Sequence, residues 1–416
     1  MFINGIKLHG NRFILGMLFV VGFMHVGIFR QPVIDWDEVV YMFLSDNMGW
    51  DLANYTTRGS IIDKSLPQSI CSSPVFYHPP LVPYMLKIVS IVCDTHMAAK
   101  ILNILFIFSS VVYIYLLSLS LSGPTAAVMT TAFWVVCPIF NLESNIVHLD
   151  FPMTVLILAG ICHWGFYQKN DLKKKHLALS GTFFALAMLT KFTGPIYCIV
   201  PVLLVLTVER SPEKYRNILL FSGIIALGFS WWIYIIIRFG TLMPSAFLGG
   251  GINKSKYMIS IAKRDWYHIW LYFTCIFPLF VLYLCGICYN IWALAANIKG
   301  FFLKSKKDAM MVAINSSSIL CVLVFSIINT ISNKLWTFRH MMPFFPIVYI
   351  TVGHITVSLF RKNNGLVNSY ILTLVLLTFI NMCFSSCITL MLMYTGNLTP
   401  FPALFFLIDE FRKFFY

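Results

Sequence analysis

Three acidic side chains lie close together just after the first apolar stretch of the chain. The segment VIDWDEVVYMFL, residues 33–44, holds Asp35, Asp37 and Glu38, although the 416 residues include only 16 acidic ones. A carboxylate placed there can act as a general base toward a group within hydrogen-bond distance. It can also simply begin a helix, because acidic residues are favourable in a first helical turn. We predict Asp37 and Glu38 as catalytic residues and keep the helix-start interpretation as the alternative.

A second acidic segment is NLESNIVHLDFPMTVL, residues 141–156. Here Glu143, His148 and Asp150 precede a Phe-Pro pair, and proline is common in the first turn of a helix. Asp150 is therefore either an N-cap or a second carboxylate that works with the first. With alternating membrane spans it emerges on the same face as Asp37, so we predict Asp150 as a third catalytic residue.

Two further residues are predicted to contact a substrate. His78 lies in YHPPLVPY, residues 77–84, where paired prolines restrict the chain to an extended course. The histidine can bind a metal or a phosphate, or the prolines can merely turn the chain back toward the membrane. Tyr41 follows the first acidic pair and is assigned to substrate binding as well.

Basic residues stand at the ends of later apolar stretches. Lys191 ends one in LTKFTGP, and Arg339 and His340 open another in LWTFRHMMPFFP. The structural alternative is that they reach out from the membrane interface with their charged ends. Together they can bind a phosphate, because arginine pairs with phosphate oxygens through two bonds and lysine supplies a point charge. Transfer of a group from a phosphorylated lipid requires a carboxylate that acts as a general base and cations that bind the phosphate.

The composition is that of a membrane protein. Of its residues 59% are hydrophobic and 11% are charged, whereas a soluble domain has roughly 25% charged residues. In a membrane protein, the formal net charge of +14 is explained by orientation in the membrane and by contact with anionic lipids. No nucleic-acid partner is expected. The fold class predicted from this pattern is an all-α polytopic membrane protein with interfacial helices in its first outside loop.

Apolar stretches predict about eleven transmembrane helices, since a spanning helix needs about 20 apolar residues. The first lacks a small-residue cleavage site and is predicted to be an uncleaved helix. The stretch 81–93 begins with prolines and is predicted to be interfacial. The predicted spans cover residues 13–29, 99–122, 125–141, 151–167, 177–191, 195–208, 217–237, 268–296, 310–331, 341–360 and 370–394.

Charge in the loops predicts the orientation. The loops that are mostly basic are predicted to be cytoplasmic, according to the positive-inside rule. They comprise residues 1–12, 168–176, 209–216, 297–309 and 361–369. The long loops 30–98 and 238–267 then lie outside, in the periplasm of a bacterial inner membrane or the lumen of the endoplasmic reticulum. We predict a core of residues 1–360, followed by a last helix and short tail, 361–416.

Five motifs in order resemble a known family of enzymes. They are DWDEVVYMFLSDNM, YHPPL, HLDFP, LTKFTGP and FRHMMPFFP. Over about residues 13–360 the chain resembles the membrane glycosyltransferases of the C-type superfamily that use polyprenyl-phosphate sugars. This group includes protein O-mannosyltransferases and lipid A aminoarabinose transferases.

The resemblance implies roles for the candidate residues. Asp37 would be the catalytic carboxylate and Asp150 the family's second outside acid. Lys191 and Arg339 would lie near the lipid phosphate, with His78 near the substrate entrance. The donor would be a dolichyl- or undecaprenyl-phosphate sugar, transferred with inversion to a hydroxyl of a lipid, glycan or protein.

Alternative functions remain open at this point. A lipid or solute transporter is the main rival, but it would be expected to carry charges near the middle of its spans, whereas the charges here collect at the rims. A second alternative function is that of a non-catalytic assembly subunit. No cofactor is firmly predicted. A divalent cation is a candidate, although hard cations need several oxygen ligands and the sequence does not show that the acids converge.

Overall fold

The part of the protein that a computed structural model describes is mostly helical. That part comprises residues 2–30, 36–49, 55, 79–169, 174–191, 193–205, 212–239, 306–332, 342–362 and 365–394. No strand occurs within these ranges. This pattern is expected in a bilayer, where each backbone donor and acceptor must be paired inside the protein.

Fourteen α-helices are described in these ranges, and three short 3-10 turns join or extend them. The α-helices are α1 Phe2–Met24, α2 Trp36–Asn47, α3 Leu81–Val89, α4 Thr95–Ser122, α5 Pro124–Val135, α6 Pro138–Glu143, α7 Asp150–Lys169, α8 Lys174–Met188, α9 Ile199–Val205, α10 Pro212–Ala226, α11 Ser230–Phe239, α12 Lys306–Ser332, α13 Phe345–Lys362 and α14 Gly365–Tyr394. The 3-10 turns are Val26–Arg30, Gly194–Cys198 and Leu227–Phe229.

The protein is an integral membrane protein. Among the described residues, five helical segments are long and apolar enough to cross a bilayer. They are Arg12–Phe29, Thr95–Ser122, Tyr215–Arg238, Met342–Phe360 and Ser369–Cys387. The predicted number of about eleven is not tested, because the predicted span 268–296 lies outside the described residues.

Two of the predicted spans are interrupted near a proline or a glycine. The predicted span 125–141 is divided into α5 and α6, with Pro138 at the start of α6. Proline has no backbone N–H and fits only the first turn of a helix, so the chain restarts there. The predicted span 217–237 changes to a 3-10 turn at Leu227–Phe229, where Gly228 packs directly on the backbone of α8.

The helices pack around α4, which contacts α1, α3, α5, α7 and α13. Buried hydrogen bonds join neighbouring helices, as is common where lipid removes the hydrophobic drive for association. The indole N–H of Trp134 on α5 donates to Ser110 on α4 over 3.0 Å. The hydroxyl of Thr351 on α13 donates to Asn315 on α12 over 2.8 Å.

A second apolar cluster lies at one end of this bundle. It joins α2, α3, the first turns of α4, the turn before α7, and α11. We call it the end cluster. Its buried members are Val40, Tyr41, Leu44, Met48, Tyr55, Val82, Leu86, Ala99, Leu102, Val147, Leu149, Trp231, Trp232 and Ile235. The cluster holds together the segments that carry the predicted acids.

Candidate active site

Asp150 and Lys191 form a buried ion pair. Asp150 begins α7, where a carboxylate is favoured by the helix dipole, and Lys191 follows the end of α8. The Lys191 Nζ lies 2.6 Å from both carboxylate oxygens of Asp150. The two residues are only 1% and 3% exposed, respectively. The motifs HLDFP and LTKFTGP therefore meet through their charged side chains.

A tight turn holds Lys191 in place. The backbone N–H of Gly194 donates to the carbonyl of Lys191 over 2.8 Å. A Cβ atom at position 194 would lie 2.6 Å from the Cα of Met188, at the end of α8. Only glycine allows this approach, so the Gly-Pro that ends LTKFTGP fixes the path of the chain behind the lysine.

Glu38 forms a second buried ion pair, with Lys100. The Lys100 Nζ lies 3.1 Å from Oε1 of Glu38, and both side chains are fully buried. Lys100 lies in the second turn of α4, and the sequence analysis did not single it out. The signal that could have found it is a lysine inside the first turns of an apolar helix, where a charge needs a partner.

The orientation of α2 places its acidic beginning deep in the protein. At the far end of α2 the Thr95 hydroxyl donates to Asp46, and this hydrogen bond is exposed. Glu38 meets Lys100 further along α4, so α2 runs antiparallel to α4. Eight residues of helix separate Asp46 from Glu38, which is about 12 Å along the axis. Asp37, the second residue of α2, thus belongs to the buried end of this helix, while its side chain lies outside the described part.

The turn before Asp150 is closed by a third acid–base pair. The Nδ1 atom of His148 lies 2.5 Å from Oε2 of Glu143. Residues 141–150 are all buried, although turns usually lie on the surface. The Nε2 atom of His25, at the end of α1, lies 3.2 Å from the Ser144 hydroxyl and ties the same turn to the first helix.

Both the Glu38 and the Asp150 pairs lie at the same end of the bundle. Leu149, directly before Asp150, is part of the end cluster, and Leu189 packs against that cluster two residues before Lys191. The cluster also contains Tyr41, which is 2% exposed, and Ala99, which precedes Lys100. The end cluster thus connects the two ion pairs.

Three predicted substrate-binding residues lie outside the described residues: His78, Arg339 and His340. Their neighbours are described. The hydroxyl of Tyr55 donates to the carbonyl of Pro79 over 3.5 Å. The ring of Phe344 lies 5.5 Å from the ring of Tyr197, measured between centroids. Because Tyr197 follows Lys191 by six residues, the last motif runs close to the lysine turn.

The candidate divalent cation stays a prediction. In the stretches that the structure describes, no three His, Cys, Asp or Glu side chains group together as metal ligands.

Comparisons with known proteins agree with this architecture. Residues 77–235 match the family model described as dolichyl-phosphate-mannose-protein mannosyltransferase. The crystal structure of ArnT from Cupriavidus metallidurans bound to undecaprenyl phosphate has a TM-score of 0.54 at 15% identity, covering 92% of this chain and 75% of that chain. No curated protein matches the sequence significantly.

An archaeal enzyme has a similar fold. The oligosaccharyltransferase of Archaeoglobus fulgidus tethered to an acceptor peptide has a TM-score of 0.54 at 10% identity, and the match covers 92% of this chain but 55% of that chain. The archaeal oligosaccharyltransferase AglB in complex with an inhibitory peptide and a dolichol-phosphate has a TM-score of 0.53 at 12% identity, with coverage of 92% and 55%. This chain thus spans about half of the archaeal protein.

The matches define the fold of the protein. It is similar to the folds of ArnT and AglB, and residues 77–235 match a mannosyltransferase family model. The fold class predicted from the sequence is confirmed, and the match to the mannosyltransferase family model agrees with the predicted enzyme class.

Proposed function

We propose that the protein transfers a sugar from a polyprenyl-phosphate donor to a hydroxyl acceptor. The reaction would take place at the end of the bundle that carries the Asp150–Lys191 and Glu38–Lys100 pairs. The family match and the two similar structures, one holding undecaprenyl phosphate and one holding dolichol-phosphate, support this class of donor.

The observation that carries the proposal is the buried contact between Lys191 and Asp150. A lipid phosphate that leaves the sugar carries negative charge, which a fixed cation stabilises best where water is excluded. Asp150 holds the Lys191 ammonium in one position before the substrate arrives. Arg339 and His340 would add further charge to the phosphate, since arginine binds phosphate through two bonds.

In this proposal Asp37 is the general base. It takes the proton of the acceptor hydroxyl while the hydroxyl oxygen attacks the anomeric carbon of the sugar. The bond from that carbon to the phosphate oxygen breaks, and the polyprenyl phosphate leaves. Glu38 contributes through its pair with Lys100, which holds the beginning of α2 and with it Asp37. Tyr41 and His78 would line the substrate site.

The side of the membrane also belongs to the proposal. The end cluster would face the periplasm or the lumen of the endoplasmic reticulum, because the basic loops at the other end favour the cytoplasm. The acceptor would be a lipid, glycan or protein hydroxyl that reaches this face.

The test is a transfer assay on the purified protein in detergent. The assay uses a radiolabelled polyprenyl-phosphate hexose and a membrane extract as the acceptor. Native protein and Asp37→Asn are compared with Asp46→Asn, which changes an exposed acid on the same helix. We expect transfer by the native protein and by Asp46→Asn, and a loss of more than a hundredfold in Asp37→Asn.

Two results would contradict the proposal in different ways. Full activity of Asp37→Asn would remove Asp37 from the role of base and leave the donor class intact. Binding of the lipid without transfer by the native protein would reject glycosyl transfer from this donor and favour a transporter.

A further inference from the structure

Several buried hydrogen-bond donors lack a partner among the described residues, and two of these donors belong to segments of the candidate active site. They are the hydroxyl of Thr193 and the indole N–H of Trp232, and among the described residues neither finds an acceptor. Thr193 is 1% exposed and Trp232 is 8% exposed. Buried donors are normally satisfied, because leaving one unbonded costs the full penalty of its desolvation. Where such a donor lies in a candidate active site, as these two do, it can bind an acceptor that a ligand supplies.

Each donor is close in sequence to a glycine that packs against the end of α8. A Cβ atom on Gly194 would lie 2.6 Å from the Met188 backbone, and one on Gly228 would lie 3.0 Å from the Met188 sulfur. Thr193 directly precedes Gly194, and Trp232 comes one helical turn after Gly228. The segments that carry the two donors therefore pack, through these glycines, against the same end of α8.

That stretch belongs to the candidate active site. Thr193 is two residues beyond Lys191, whose ammonium is paired with Asp150. Trp232 is a member of the end cluster together with Tyr41 and Leu149. Thr193 thus lies next to the turn of the group proposed to bind the lipid phosphate, and Trp232 lies in the cluster that connects the two ion pairs.

We propose that Thr193 and Trp232 bind the sugar of the donor, each donating one hydrogen bond to a sugar oxygen. This inference rests on the proposed function. Both donors are uncharged, which suits a neutral hydroxyl or ring oxygen, whereas the phosphate is better bound by charged groups. Trp231 stacks on Tyr234 beside this position, with ring centroids 5.6 Å apart, so apolar ring surface accompanies the donors.

The decisive variants remove each donor and keep most of the side chain. Thr193→Val has nearly the same shape, and Trp232→Phe keeps an aromatic ring without an N–H. Dissociation constants are measured for a polyprenyl-phosphate hexose and for the sugar-free polyprenyl phosphate, and KM for the hexose lipid is measured alongside. We expect each variant to weaken binding of the hexose lipid about tenfold, as the loss of one hydrogen bond predicts, with unchanged affinity for the sugar-free lipid.

Two control variants separate binding from structure. Thr356→Val removes another buried and unpartnered hydroxyl, on α13. It should change neither affinity. Trp134→Phe removes an indole N–H that donates to Ser110 within the protein. It should lower the melting temperature more than Trp232→Phe does, because only Trp134 loses a bond inside the folded chain.

Other outcomes would overturn the inference. Unchanged affinity for the hexose lipid in both variants would show that the donors do not bind sugar. Equal weakening for both lipids would place them at the phosphate or the chain instead. A native protein that binds hexose lipid no better than the sugar-free lipid would contradict the inference directly. If the native protein binds the hexose lipid more tightly than the sugar-free lipid but transfers no sugar, only the proposed function is contradicted.

Discussion

Asp150 and Lys191 close the open end of one helical hairpin. Asp150 begins α7 and Lys191 follows α8, and the ammonium contacts both carboxylate oxygens at 2.6 Å. Because α7 leads into the bundle and α8 returns, the two charges meet although they are 41 residues apart in the chain. The pair thus links the packing of the hairpin to the site that we propose for the lipid phosphate.

Breaking this pair on one side should cost more than replacing both residues. Asp150→Asn or Lys191→Met alone leaves a buried charge without its partner and should destabilise the fold by about 3–5 kcal/mol. The double variant Asp150→Leu with Lys191→Met should destabilise by less than the sum of the single changes. Thermal unfolding in detergent measures this, and strictly additive effects would show that the two charges do not interact. All three variants should lose transfer activity.

The Glu38–Lys100 pair should affect the rate more than donor binding. Glu38→Gln loosens the beginning of α2, where Asp37 lies, and we expect kcat to fall at least tenfold while the dissociation constant for sugar-free polyprenyl phosphate stays the same. Lys87→Met is the control. The Lys87 Nζ donates to the Ser45 carbonyl at the other end of α2 over 3.4 Å. A similar fall in kcat for Lys87→Met would mean that any loosening of α2 suffices.

Replacing Gly194 with even the smallest side chain should destabilise the protein. Gly194→Ala places a methyl group 2.6 Å from the Met188 backbone, so the turn that carries Lys191 must shift. We expect a loss of about 1–3 kcal/mol in stability together with reduced transfer. Gly223→Ala serves as the matched control, because nothing lies within 4 Å of its added methyl group on α10. It should be neutral, or stabilising by up to about 1 kcal/mol. Equal effects of the two variants would contradict the role of the tight turn.

The Glu143–His148 pair should govern the turn before Asp150. Glu143→Gln replaces a charged hydrogen bond at 2.5 Å with a neutral one, which should destabilise by about 1–3 kcal/mol and lower transfer through displacement of Asp150. Glu213→Gln removes an exposed acid in the first turn of α10 and should stay within about 0.5 kcal/mol of the native protein. Melting curves and transfer rates of the two variants test whether the Glu143–His148 pair holds this turn. An unchanged Glu143→Gln protein would mean that the turn holds without the pair.

Local features were enough to predict the ends of several elements. Asp150 before Phe-Pro predicts a helix start, and α7 begins there. The prolines before residue 81 predict a short separate helix, and α3 covers Leu81–Val89. The interrupted spans were missed because hydropathy alone does not record a proline restart inside an apolar stretch, or a glycine that packs against a neighbouring helix.

The amino-acid sequence by itself determined the class of protein. Its apolar stretches can be stable only in a membrane, and its few charges must then collect at the ends of helices, where water or a partner lowers their cost. That is why Glu38, Asp150 and Lys191 stand out from sequence alone. The order of their motifs along the chain was enough to indicate the enzyme class.

The tertiary structure decided which charges are paired. Lys100 and Glu38 are 62 residues apart, and His25 and Ser144 are 119 apart, so no local pattern connects them. Only the antiparallel course of α2 along α4 brings the lysine to the glutamate, and only the packing of the end cluster brings both ion pairs to one face. Pair formation depends on distances of a few ångströms, because a buried charge must touch its partner, and those distances exist only in the folded chain.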